Sequence, residues 1–80
     1  MEKIVAYILL LADIGKEHEV AKRIKQLNGV SEVKVVYGEY DIVVRVEVSS
    51  LRELDKVVTS IRSIPHVIRS ITLVSSDNQV

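Results

Sequence analysis

The chain has 80 residues and a mass of 9.0 kDa, which is room for one domain. Its 11 Lys and Arg balance 11 Asp and Glu, and a zero formal net charge argues against a principal role in gripping phosphate backbones. Hydrophobic residues at 48% argue against disorder, and the lack of any Cys removes disulfides, thiolate metal sites and cysteine nucleophiles together.

Residues 4–12 form the longest apolar run, far short of the roughly 20 residues that span a bilayer. A charged helical pattern follows directly, with no cleavable signal between. A soluble cytoplasmic protein with no membrane partner is expected. A domain this short hides only about 60% of the surface its unfolded chain exposes. With no disulfide and no visible metal-ligand cluster, self-association is the remaining way to bury more apolar area.

Residues 3–12 (KIVAYILLLA) read as a strand that is apolar on both faces, with Ile4, Ala6, Ile8 and Leu10 on one and Val5, Tyr7, Leu9 and Leu11 on the other. Gly15 breaks the run, and the period then changes. Over 16–27 the residues Val20, Ala21, Ile24 and Leu27 share a helical stripe, and Asn28-Gly29 supplies the stop. Residues 30–37 form a second strand, in which Val33, Val35 and Tyr37 alternate against Glu32, Lys34 and Val36. Gly38-Glu39 suits a two-residue II′ turn into a third strand over 41–48, where Ile42, Val44, Val46 and Val48 oppose Val43, Arg45 and Glu47. Ser50 and Glu53 spell a capping box for a second helix. Its stripe is Leu51, Leu54, Val57, Val58 and Ile61, and Pro65 ends it. A fourth strand covers 66–74, so that 1–75 make a single domain and 76–80 a polar tail.

An internal echo, with Val20, Ile24, Leu27 and Val30 resembling Leu54, Val58, Ile61 and Val67, supports two related halves. The order βαββαβ gives an α+β, ferredoxin-like fold: a four-stranded antiparallel sheet with two helices on one face and the first and third strands central. Helices cover one face only, so the Val5, Tyr7, Leu9 and Leu11 face needs another cover. Each fully buried aliphatic side chain contributes about 1.5–3 kcal/mol, and together these four would rival the stability of a small domain. A homodimer formed sheet to sheet is expected.

The least generic cluster is the hairpin. Tyr37 and Tyr40 flank Gly38-Glu39, and Asp41 follows, in a chain with no Phe or Trp. Tyrosines would wall a pocket, Gly38 would let backbone amides meet a carboxylate, and Asp41 would hold an ammonium group, which together suit a free amino acid. The plainer alternative is that Gly38 only makes the turn, the tyrosines pair across strands, and Asp41 satisfies nearby backbone amides. His18 and His66 lack metal-ligand spacing and read as surface residues, and the serines sit at caps and in the tail without a His–acid pairing. No metal and no cofactor is expected. The third strand has no aromatic side chain to stack on bases, so direct nucleic-acid binding is not expected either.

With these parts in order, the chain resembles the ligand-binding domain of the leucine-responsive regulatory protein/AsnC (Lrp/AsnC) family, also called the regulation of amino-acid metabolism (RAM) domain. The residues that carry the resemblance are LNGVSEV (27–33), VYGEYDIVVRV (36–46), LRELDKVVTSIRSIPHV (51–67) and RSITLV (69–74). Gly38 and Asp41 fit the family's hairpin pattern of Gly, two variable positions, Asp and an aliphatic strand. The resemblance implies face-to-face dimers assembled into rings such as octamers, with amino-acid effectors bound between dimers near the hairpin. Gly38, Tyr40 and Asp41, with Tyr37 beside them, would then belong to the effector pocket, and Thr72 on the last strand would supply a hydroxyl. Tyr37 stands where the family often has a small hydroxyl residue.

The first strand follows Met1 without the family's helix-turn-helix, so a stand-alone module without DNA contact is expected. Its role would be regulation of transcription or amino-acid metabolism, with co-assembly with full-length Lrp/AsnC regulators as one route. Two alternatives stand beside this non-enzymatic reading. One is a small dimeric α+β-barrel enzyme, for which the chain is poor in His, Trp and Asn. The other is a purely structural oligomerisation module.

Overall fold

The alternation of aliphatic side chains sets the sheet. In the computed structural model, which describes residues 3–75, β1 (Ile4–Ala12) buries Ala6, Ile8, Leu10 and Ala12 on one face and leaves Val5, Tyr7, Leu9 and Leu11 half-buried or exposed on the other. β3 (Ile42–Val48) does the same, burying Ile42, Val44, Val46 and Val48. These two central strands pair antiparallel, Ile8 opposite Val44 and Leu10 opposite Ile42. β2 (Val30–Val35) adds to β3 and β4 (Val67–Val74) adds to β1, giving the order β2-β3-β1-β4 with every pair antiparallel. The ferredoxin-like α+β fold read from the sequence is the fold of the protein. Residues 76–80, read as a polar tail, lie outside the described residues.

Two amphipathic helices complete the core. α1 (Glu17–Ile24) inserts Val20 and Ile24, and α2 (Leu51–Arg62) inserts Leu54, Val57 and Ile61. Leu51, placed on the buried stripe by periodicity, is instead 64% exposed at the first helical position of α2. The capping box forms with a shift. The Glu53 N–H donates to Ser50 Oγ at 3.2 Å, but Glu53 Oε1 accepts from the N–H of Ser49, one residue before the cap, at 2.7 Å. No helix among the described residues is long and apolar enough to cross a membrane.

Both helices stop short of their expected ends, and for the same reason. Past Ile24 the chain tightens into i→i+3 bonds, Gln26 N–H to the Arg23 carbonyl and Leu27 N–H to the Ile24 carbonyl. Past Arg62, Ile64 N–H bonds the Ile61 carbonyl in the same way. Val30 N–H then reaches the Leu27 carbonyl at 3.3 Å, and Val67 N–H reaches the Ile64 carbonyl at 3.3 Å. One connection is thus built twice, and the true internal repeat aligns Leu27 with Ile64 rather than with Ile61. It also aligns Gly29 (φ +95°) with His66 (φ +79°), the one described non-glycine residue in the left-handed region. Hence β4 begins at Val67, not at His66, whose backbone is not extended.

Gly29 has no room for a side chain. A Cβ there would stand 2.9 Å from Val48 Cγ1 and 3.2 Å from Val57 Cγ2, in a conformation that L side chains rarely adopt. We predict that Gly29→Ala destabilises the fold by about 1–3 kcal/mol, read as a lower urea midpoint with an unchanged slope. An unchanged midpoint would contradict the packing described here.

Candidate functional site

The hairpin between β2 and β3 is wider than the sequence suggests. Val36 N–H donates to the Asp41 carbonyl at 2.8 Å, so four residues, Tyr37 to Tyr40, bridge the strands instead of two. A II′ turn would hold Gly38 near φ +60°, whereas Gly38 sits at φ +148°. The space around Gly38 is open, so glycine is needed there for backbone conformation and not for clearance. Tyr37 does not join the alternating face of β2. It is 100% exposed, which also rules out a cross-strand tyrosine pair. Tyr40 and Asp41 are half-buried.

Asp41 has a structural role of its own. Its Oδ2 accepts the N–H of Ala12 at 3.0 Å, and its own N–H donates to the Leu10 carbonyl at 2.8 Å. Ala12 lies where the pairing of β1 with β3 has ended and its pairing with β4 shifts register, so the carboxylate satisfies a strand-end amide. The plainer alternative for Asp41 therefore holds. Its other oxygen takes no hydrogen bond among the described residues.

A second pair stands beside it at the same end of the sheet. Asp13 N–H donates to the His66 carbonyl at 2.9 Å, and His66 Nδ1 lies 3.0 Å from Asp13 Oδ2. Fifty-three positions separate these residues, so only the pairing of β1 with β4 reveals the contact. Among the described residues no three His, Cys, Asp or Glu side chains converge as metal ligands.

Thr72 is not brought to the hairpin within one chain. It pairs with Ile8 on the helix side of β4, with β1 between it and the hairpin strands. There it lines a groove against α2.

The opposite, helix-free face of the sheet carries Val5, Tyr7, Leu9 and Leu11 from β1, Val43 from β3, and Ile71 and Leu73 from β4. Tyr7 is 41% and Leu73 52% exposed. A polar network interrupts this face near β2. Arg45 donates to Ser31 Oγ at 2.8 Å and to Glu47 Oε1 at 3.3 Å, while Ser31 Oγ donates to the Arg45 carbonyl at 3.1 Å. Ser31 is the extra residue of a bulge, which is why it reaches Arg45, and periodicity alone does not reveal it. The Tyr7 hydroxyl, and then Glu47, raise the Arg45 guanidinium above its ordinary pKa, so it stays charged.

Comparison with known proteins adds a family. Residues 5–78 match the family described as the Lrp/AsnC ligand binding domain. A hypothetical protein from Pyrococcus horikoshii of solved structure is 36% identical, with a TM-score of 0.86, over 95% of this chain and 93% of that one. A feast or famine regulatory protein from M. tuberculosis, solved in complex with L-methionine, shares the fold at 22% identity and a TM-score of 0.79, over 96% of this chain and 52% of that one. Among curated relatives, homocitrate synthase from Sulfolobus acidocaldarius is 36% identical over 72 residues, 89% of this chain. The chain spans only 12 to 15% of the length of the homocitrate synthases it matches.

The two carboxylate oxygens of Asp41 give a clean separation of roles. Asp41→Ala strands the Ala12 amide and is expected to lower stability by about 1 kcal/mol, the lower end of the range for a half-buried bond. Asp41→Asn keeps an acceptor oxygen and is expected to cost less than half of that in the same urea titration. Equal losses in the two variants would refute the role assigned to Oδ2.

Proposed function

The chain belongs to the Lrp/AsnC ligand-binding domain family, and from that premise we propose that it is a regulatory module that binds a free amino acid and works through its own assembly. The observation that carries the proposal is the hairpin. Tyr37 is fully exposed, and in this reading the pocket it walls is completed by a second copy. Gly38, Tyr40 and the spare oxygen of Asp41 lie beside it and supply exposed backbone amides, a ring and a negative charge. Those groups match the carboxylate and ammonium of an amino acid. Thr72 joins such a site only from a different copy.

The apolar sheet face supplies the assembly. Two copies stacked on that face form a dimer, and dimers close into an octamer-like ring in which hairpins meet. A ligand held between dimers stabilises whichever assembly contains its site, by an amount set by its differential affinity. The M. tuberculosis relative in complex with L-methionine supports an amino acid as the effector class. The homocitrate synthases, in which the matching segment is a small fraction of the protein, support a regulatory appendage and not a catalytic unit. In this reading the protein is cytoplasmic, is not an enzyme, makes no direct contact with DNA, and passes its signal by co-assembly with full-length Lrp/AsnC regulators.

Calorimetric titration with each of the twenty amino acids tests this. Saturable heat is expected from at least one, with affinity reduced at least tenfold by Asp41→Asn while the fold is retained. No heat from any of them would leave a purely structural oligomerisation module and defeat the proposal.

A further inference from the structure

The helix side of the sheet changes character at its outer edge. β1 and β3 present only aliphatic side chains to the helices, whereas β4 presents Ser70 and Thr72, both only half-buried. Val58 and Arg62, one helical turn apart on α2, stand over them. A groove of about 490 Å³ results, lined by Val58, Arg62, Val67, Ile68, Arg69, Ser70 and Thr72. That volume falls within the range of small-molecule sites.

The chemistry of the lining is one-sided. It holds two guanidinium groups, two hydroxyls and an aliphatic wall, with no carboxylate, although the whole chain carries as many acids as bases. Neither Arg62 nor Arg69 has an ion pair or side-chain hydrogen bond among the described residues, in contrast to Arg45 with Ser31 and Glu47. A place in the last turn of α2 complements the helix dipole and would by itself explain Arg62. It does not explain Arg69. That residue pairs with Leu11, just past the register shift, on the face away from the helices, and so lines the groove from around the free edge of β4. Nor does it explain two hydroxyls where the rest of this face is aliphatic.

We propose that this groove binds a small dianion, a dicarboxylate or a phosphate group, with Arg62 and Arg69 as the charge partners and the Ser70 and Thr72 hydroxyls as donors. Guanidinium pairs favour planar or tetrahedral oxyanions by forked hydrogen bonding. The groove shares Thr72 with the proposed effector site, which that residue would join from a different copy, but its charged residues, Arg62 and Arg69, are not those of the hairpin, so the two readings fail separately.

Calorimetry on the full chain in chloride buffer, with inorganic phosphate and with succinate as separate probes, tests it. Saturable binding of either probe is expected, weakened at least tenfold in the double variant Arg62→Gln/Arg69→Gln and unchanged in Asp41→Asn. Phosphate alone or succinate alone would each support the site and identify the source of the charge. No saturable binding of either probe, or binding that survives the double variant, would overturn it. Both arginines are exposed, so the double variant is expected to melt with the parent protein, which separates lost binding from lost fold. Amino-acid heats that persist while both dianions fail would sink this site and leave the effector reading intact.

Discussion

The structure is governed by a strand with two greasy sides and helices enough for one. β1 sits in the middle of the sheet, so neither of its faces lies at an edge where solvent is easily tolerated. α1 and α2 bury Ala6, Ile8, Leu10 and Ala12 completely or nearly so. Val5, Tyr7, Leu9 and Leu11 are left to a face whose neighbours, Val43, Ile71 and Leu73, are apolar as well. A monomeric antiparallel sheet of this kind ordinarily alternates apolar and polar residues. This one does so toward β2, where Ser31, Glu32, Lys34, Arg45 and Glu47 cluster, and at Arg69 on β4. A face that is apolar on one side and charged on the other would fix the orientation of a second sheet laid against it.

The ends of the strands follow from backbone chemistry more than from side-chain packing. The helix-to-strand connection is used twice, and it demands a left-handed residue each time. In the first half Gly29 meets that demand against the close approach of Val48. In the second half His66 accepts the same φ and faces Asp13. Left-handed backbone at a non-glycine residue costs about 1–3 kcal/mol unless its surroundings hold it. The Asp13 contacts to both the carbonyl and the ring of His66 are the surroundings present here. Asp41 closes the same end of the sheet by capping Ala12, so a residue of the proposed site is also part of the frame.

Much of this was legible in the sequence, for definite reasons. A period of two along 4–12 and 42–48, and of 3.6 along the helices, is imposed by which side chains must face the core, so element order and fold class follow from it. Boundaries were less legible. Leu27 and Leu51 keep the helical spacing although one lies in a turn and the other is exposed, because spacing records compatible positions and not hydrogen bonds. The position of the hairpin was legible, yet its geometry was not: the Val36–Asp41 bond that widens the loop is a backbone matter that residue types do not encode. The Asp13–His66 and Ser31–Arg45 contacts depend on strand register and a bulge, which one-dimensional patterns leave open.

The mass of the protein in solution bears most directly on the central claim. Sedimentation equilibrium at micromolar concentration is predicted to give a multiple of the 9.0 kDa chain mass. A charge placed in the apolar face, Leu9→Glu, is predicted to shift that mass toward the single chain. A parent protein that sediments as one chain across the whole concentration range would contradict the account.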